Sequence, residues 1–165
     1  MKNFILSIVF GFALLSFSDK GLPQDSKIDY LEVSKEKREL YAYSNGEIVK
    51  TYCISLGWSP SGPKRVKGDG KTPEGVYYIN DKNPHSVAYK NLGISYPNEE
   101  DKRRARRMGR SAGGDIKIHG LMNRWGFLGD LHSFRDWTAG CIAVSNSDMD
   151  ELYDHVEIGT KIKIF

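Results

Sequence analysis

Alternating apolar and polar residues predict a chain built mainly from short β-strands. Residues 28–57 carry this pattern in three strands, with Asn45 and Gly46 in a two-residue hairpin turn, because both residues tolerate positive φ. The third strand holds Cys53, which we interpret as a small packed residue, since free cysteine is usually buried. Further strands are predicted in the segments VYYIN, DIKIHG, CIAV and KIKIF.

Two helices are predicted among these strands. Asn98 precedes three acidic residues and then a basic run that stops at Gly109, an order that suits a capped helix and its dipole. A second helix, capped by Asn146 or Ser147, has apolar residues at i, i+3, i+4 and i+7 and closes at Gly159. The fold class predicted from this pattern is therefore mostly β with two helices.

Three segments between these elements are expected to lack regular structure. Residues 57–75 are rich in glycine and proline, residues 81–97 show no clear period, and residues 121–137 combine glycine with aromatic side chains. The basic run KRRARRMGR is interpreted as a solvated helix face, with a patch for an anionic polymer as the alternative.

The first 18 residues differ from the rest of the chain. Lys2 precedes an apolar run from Phe4 to Phe17, and small residues follow, as in a secretory signal peptide. An uncleaved N-terminal anchor is the alternative. We therefore expect an exported protein of the periplasm or cell envelope, in contact with the membrane only through an uncleaved N-terminal segment.

Charge and cysteine content narrow the chemistry. The formal net charge of +3 is too small to indicate nucleic-acid binding. The two cysteines, Cys53 and Cys141, are too few for a disulfide framework. An unpaired thiol is an oxidation liability outside the cytoplasm, and a chemical use would explain why one is present.

Cys141 lies in the stretch DWTAGCIAVSN and has two interpretations, a nucleophile or a small core residue. His119 closes a strand 22 positions earlier. A nearby imidazole can take the proton of a thiol and return it to a leaving amine, while the backbone N–H groups of Gly140 and Cys141 could bind an oxyanion. His85 and His132 are among the rival partners, together with His155. No spacing of a metal site is present, so no metal is expected.

Several ordered blocks resemble the L,D-transpeptidase catalytic domain (YkuD-like) family. These blocks are GDGKTPEGVYYI, LGISYPN, GGDIKIHG, DWTAGCIAVSN and GTKIKIF, and they extend from residue 28 to residue 165. The cysteine motif is similar to a branch of that family with the pattern DWTxGCIAVxN. The resemblance implies an L,D-transpeptidase-like β-sandwich domain over residues 26–165, whose chemistry needs no cofactor.

The same resemblance assigns the site residues. It places the nucleophile on Cys141, the essential histidine on His119 and the preceding motif hydroxyl on Thr138. The carbonyl that orients the histidine would come from Gly120, and Gly140 would complete the motif next to the nucleophile. The broader family has a second histidine and an arginine where this sequence has Ala139 and Ala143, which leaves the thiol–imidazole pair intact and puts the substrate preference in question.

The reaction implied is acyl transfer on peptidoglycan stem peptides through a thioester on Cys141. Hydrolysis by the same pair, as a carboxypeptidase or endopeptidase, is the alternative, and a non-catalytic wall-binding module is the third hypothesis. Residues 121–137 would form a lid, in which Arg124 and Arg135 bind the carboxylates of the stem and Trp125 and Trp137 cover it. Loop packing and surface charge are the alternative roles of these four residues. We expect a monomer.

Overall fold

The described residues, 21–165 of the computed structural model, form one curled eight-stranded sheet with two α-helices and a 3₁₀ segment. The predicted signal peptide or anchor at residues 1–18 lies outside them. The strands are β1 (Ile28–Ser34), β2 (Glu39–Ser44), β3 (Glu47–Cys53), β4 (Gly75–Ser86), β5 (Tyr89–Ile94), β6 (Lys117–His119), β7 (Ile142–Ala143) and β8 (Val156–Ile164). The helices are α1 (Glu99–Arg107) and α2 (Asn146–His155), and the 3₁₀ segment is Gly126–Phe134.

The sheet has the order β3-β2-β1-β8-β4-β5-β6-β7, and it curls until its two ends meet. β4 joins the two halves, because its first residues pair with β8 and its later residues pair with β5. At the ends, the chain just after β3 forms bridges to the chain around β7, from Ser55 to Ala143 and from Gly57 to Thr138. The predicted β-sandwich-like fold is thus confirmed, with both layers supplied by one sheet.

Apolar residues from both halves of the sheet and from α2 fill the core. The alternation predicted from the sequence holds in β2, where Leu40 and Ala42 are buried, and in the second half of β1, where Leu31 and Val33 are buried, whereas β3 buries only Tyr52. Among the buried side chains are Leu31, Leu40, Tyr52, Tyr77, Leu92, Ile118, Met149 and Leu152. Ile118 of β6 and Ile142 of β7 are fully buried in this core, so close packing fixes the position of both strands.

Local turn and cap chemistry also follows the sequence. Asn45 and Gly46 take positive φ values of 52° and 84° between β2 and β3, which confirms the hairpin. Asn98 caps α1 through a capping box with Asp101.

No helix among residues 21–165 is long and apolar enough to cross a membrane.

Residues 81–97 are more regular than predicted. They contain the second half of β4 and all of β5, joined as a long hairpin with two register irregularities. Those irregularities and the exposed polar run of β4, which includes Pro84, hide the period of two that marks a strand in the sequence.

Two expectations from the sequence are wrong, one about Cys53 and one about the ends of the second helix. Cys53 is exposed and not packed, because β3 is an edge strand and its buried face carries Tyr52. The second helix is capped by Ser145, whose Oγ accepts a hydrogen bond from the Asp148 N–H. That helix ends at His155 and not at Gly159, which lies within β8. β8 begins at the residue after His155, so the last apolar residue of the helical pattern is already part of a strand.

Candidate active site

Cys141 lies at the end of a tight turn that leads into β7. The Thr138 hydroxyl closes this turn, since it donates to the Cys141 carbonyl at 2.8 Å and accepts from the Gly140 N–H at 3.1 Å. Gly140 has φ +131°, and a Cβ there would lie 2.5 Å from the Lys71 carbonyl oxygen, so only glycine fits. Of the two N–H groups expected to bind an oxyanion, that of Gly140 thus has the Thr138 hydroxyl as its acceptor in this structure.

His119 is the last residue of β6, and only 8% of it is exposed. Its Nδ1 lies 2.7 Å from the Gly120 carbonyl oxygen. A carbonyl only accepts hydrogen bonds, so Nδ1 carries the proton in the neutral ring and Nε2 is the basic nitrogen. Gly120 has no room for a side chain, because a Cβ would lie 2.7 Å from Asn146 Oδ1.

The parallel pairing of β6 and β7 brings the histidine and the cysteine to one face of the sheet. Ile118 pairs with Ile142 and His119 with Ala143. Because side chains alternate along a strand, His119 and Cys141 project to the same side as diagonal neighbours. The thiol itself points to the Asp115 carbonyl oxygen, 3.5 Å from Sγ.

Burial keeps both groups neutral at rest. It raises the pKa of the Cys141 thiol, while a hydrogen bond from the Lys117 backbone and the charges of Lys117 and Lys64 act in the opposite direction. Burial also lowers the pKa of His119 below its usual value, partly offset by the bond to Gly120. A neutral thiol and a neutral imidazole on one face of a sheet are the two groups that a base-assisted attack by sulfur requires.

A solvent-open hollow of about 370 Å³ gives access to the thiol. Its lining includes Cys141 and Ala139 from the turn, Asp115, and the two lysines Lys64 and Lys67. Lys64 is buried and bound to Asp69 at 2.8 Å, whereas Lys67 is exposed. A ligand with a negative charge would therefore meet a cation close to the sulfur.

Aromatic residues border the histidine on its other side. The ring of Trp137 packs edge-on against His119 with centroids 5.8 Å apart, and Trp125 lies 6.5 Å from Trp137. Arg124 and Arg135 are exposed, and neither lines the hollow beside Cys141. The structure thus brings Trp137 against His119, places Trp125 next to Trp137 and leaves both arginines on the surface.

His132 ties the 3₁₀ segment to the strand that carries the site. Only 6% of it is exposed, and its Nδ1 lies 3.1 Å from Ser55 Oγ, while the same hydroxyl donates to the His132 carbonyl at 2.9 Å. Ser55 bridges Ala143, which in turn pairs with His119. His132 is therefore fixed close behind the candidate site, a role that no local signal in the sequence indicated.

Two further residues of the stretch DWTAGCIAVSN shape the site, although the sequence analysis assigned neither of them a role there. Asn146 Oδ1 accepts a hydrogen bond from the Leu121 N–H at 2.8 Å and so fixes the turn after His119. Asp136 accepts hydrogen bonds from the Arg38 guanidinium and, at 2.9 Å, from the Leu56 N–H. Their place in a motif was the one available clue.

Asp136→Ala is expected to lower the free energy of unfolding by about 2 kcal/mol. The change leaves the Leu56 N–H without its acceptor and Arg38 without its partner, and 35% of the Arg38 side chain is exposed, which moderates the loss. Urea denaturation would measure it as a lower midpoint at unchanged slope.

The matched control is Glu157→Ala, which removes a carboxylate from the exposed ion pair with Lys27. Its midpoint should stay close to that of the parent, because an exposed pair contributes little. Equal midpoints for both variants would show that Asp136 does not hold the segment in place.

The chain resembles a set of known proteins over most of its length. The family model for the L,D-transpeptidase catalytic domain (YkuD) matches residues 28–164. An Escherichia coli protein with the name "Putative L,D-transpeptidase YafK" is 30% identical over 134 residues, which is 77% of this chain and 46% of that protein. The chain spans about half the length of the curated relatives it matches.

Solved structures agree with this assignment. The helical cell shape determining protein Pgp2 from Campylobacter jejuni aligns with a TM-score of 0.62 and 26% identity, over 85% of this chain and 48% of Pgp2. Bd1075 from Bdellovibrio bacteriovorus shares the fold with a TM-score of 0.56 and 21% identity, over 88% and 50% of the two chains. Residues 28–164, which match the family model, include the turn with Cys141 and the strand with His119, and the chain belongs to the L,D-transpeptidase catalytic domain family.

Proposed function

We propose that this protein is a cysteine acyltransferase that acts on peptidoglycan stem peptides, with Cys141 as nucleophile and His119 as general base. The observation that carries the proposal is the pairing of β6 with β7, which puts both side chains on one face of the sheet. The bond from His119 Nδ1 to the Gly120 carbonyl supports it, because it keeps Nε2 free to accept a proton.

The reaction begins when the thiol leaves the Asp115 carbonyl and turns to His119. Nε2 takes the thiol proton while Sγ attacks the carbonyl at the L-centre of the diamino acid of the stem. The resulting oxyanion is bound by the Cys141 N–H, because the Gly140 N–H is used by Thr138. Collapse breaks the C–N bond, the imidazolium gives its proton to the departing D-alanine amine, and a thioester remains on Cys141.

The second half of the reaction resolves the thioester. An amine of a second stem attacks the same carbonyl, His119 removes its proton, and the thiol leaves, so that a crosslink forms. Trp137, which packs against His119, is positioned to cover the bound peptide and limit the access of water. The proposal places the protein in the cell envelope, as an enzyme that remodels the wall, in keeping with Pgp2, which is a helical cell shape determining protein.

Hydrolysis is a second candidate function, because the hollow beside Cys141 is open to solvent and water can reach a thioester there. Product analysis with a purified tetrapeptide stem separates the two functions, since crosslinked dimers and trimmed monomers differ in mass. We expect dimers that require Cys141. Trimmed monomers alone would make the protein a carboxypeptidase, and unchanged substrate in both the parent and the Cys141→Ala variant would contradict catalysis and favour a wall-binding module.

A further inference from the structure

A groove with several cations runs from α1 to the nucleophile. One hollow, of about 350 Å³, is lined by α1 and the segment after it, including Arg106, Arg110 and Gly113. The hollow beside Cys141 is lined by Lys67 and also by Gly113. The two hollows therefore share a wall residue and adjoin each other.

The groove has a fixed floor. The Lys67 N–H donates to the Ser111 carbonyl at 2.8 Å, so the loop that carries Lys67 is attached to the segment that carries Arg110. A Cβ on Gly113 would lie 3.3 Å from the Lys67 backbone, which shows how closely these segments approach. Backbone contacts thus hold the loop with Lys67 and the segment with Arg110 close together.

Five cationic side chains line the two hollows, and two of them are paired with carboxylates. Lys64 pairs with Asp69 and Lys102 pairs with Glu99. Asp115, the one carboxylate that lines either hollow in the described part of the chain, pairs with Lys117.

The remaining three are Lys67, Arg106 and Arg110. They are exposed and form no ion pair with a carboxylate among residues 21–165. We call these three residues the basic groove.

We propose that the basic groove binds the carboxylates of the peptide stem whose carbonyl is attacked by Cys141. The proposal rests on the proposed function, since it names how that substrate is recognised. A ligand of the groove must also reach the hollow at the sulfur, which a peptide with an acyl carbonyl and several carboxylates can do. Guanidinium groups bind carboxylates through two parallel hydrogen bonds, and lysine adds a point charge.

The interaction is expected to be modest for each residue and clear for all three. Exposed ion pairs each contribute little, so loss of three should weaken binding about ten-fold. Because the groove is open to solvent, salt should weaken binding by the parent more than binding by a variant without these cations.

The test uses a full chain with Cys141→Ala, which cannot form the thioester, so that binding is measured apart from chemistry. In this background, titration calorimetry compares the free tetrapeptide stem with the same peptide in which the carboxylates are carboxamides. The groove variant carries Lys67→Ala, Arg106→Ala and Arg110→Ala. We expect about ten-fold weaker binding of the free stem by this variant, and little difference between parent and variant for the carboxamide peptide.

The matched control carries Arg65→Ala, Arg103→Ala and Arg107→Ala. It loses the same charge from exposed positions of the same loop and helix, none of which lines either hollow. Its affinity for the free stem should stay within about two-fold of the parent, because distant charges are screened by salt.

Equal affinities of the groove variant and the control would overturn the proposal, as would equally tight binding of free and carboxamide stems by the parent. A groove that binds inorganic polyphosphate but not the stem would overturn it as well. Turnover of the stem with Cys141 intact is measured separately. If the stem is turned over but its binding does not depend on the groove, the proposed function stands and the groove is refuted. If binding depends on the groove but the stem is not turned over, the groove stands and the proposed function is refuted.

Discussion

Replacing Cys141 by alanine is expected to abolish acylation completely. A carbapenem carries a strained lactam carbonyl, and attack by Sγ opens the ring without loss of atoms, so the adduct adds the full mass of the carbapenem to the protein. Intact-mass spectrometry of the parent should show one adduct, and the Cys141→Ala variant should show none. The expected effect is large because no other thiol lies next to a basic imidazole on the face shared by β6 and β7 in the described part of the chain.

Cys53→Ala is the matched control, because it removes the other thiol of the chain. Cys53 is exposed on the edge strand β3, but partial desolvation of its sulfur, together with nearby carboxylates, raises its pKa, so little nucleophilic thiolate is present. Acylation of this variant should match that of the parent. An adduct that persists in Cys141→Ala and disappears in Cys53→Ala would refute the assignment of the nucleophile.

The sequence predicts those parts of the fold in which local chemistry and tertiary packing agree. In β2 and the second half of β1 the buried residues recur at every second position, and the Asn45-Gly46 turn has the φ values that its residues favour. The prediction fails where contacts between residues far apart in the sequence decide which side chains are buried. Cys53 was misjudged because a strand pattern does not reveal that β3 lies at an edge.

The candidate site divides in the same way. Cys141 and His119 are each marked by an adjacent glycine and by the ends of short strands, so their residue types could be recognised in the chain. The use of the Gly140 N–H by Thr138 depends on how the turn folds, and the sequence favoured the opposite expectation. The contact of His132 with Ser55 joins residues 77 positions apart, and no local pattern reports it.

His119→Ala is expected to slow acylation by about 10²- to 10⁴-fold, the usual contribution of a general base. The variant has no group in this position to take the thiol proton, and burial raises the pKa of Cys141, so little thiolate is present to replace the base. Rates of adduct formation at several carbapenem concentrations would measure the loss, with circular dichroism to show that the fold is retained.

The pH profile tests the same assignment by an independent readout. Burial lowers the pKa of His119 below 6.5, so the imidazole stays neutral, and able to accept a proton, at pH values at which an exposed histidine is charged. The acylation rate of the parent should therefore level off above pH 6.5 and fall only below it. In His119→Ala this plateau should be lost, because the residual rate depends on the Cys141 thiolate and rises with pH through the neutral range. The control is His85→Ala, since His85 is exposed on β4 and should affect neither the rate nor the plateau. A parent profile with its acid limb above pH 6.5, or an unchanged plateau in His119→Ala, would remove His119 from the role of base, because the group that titrates would then be a different one.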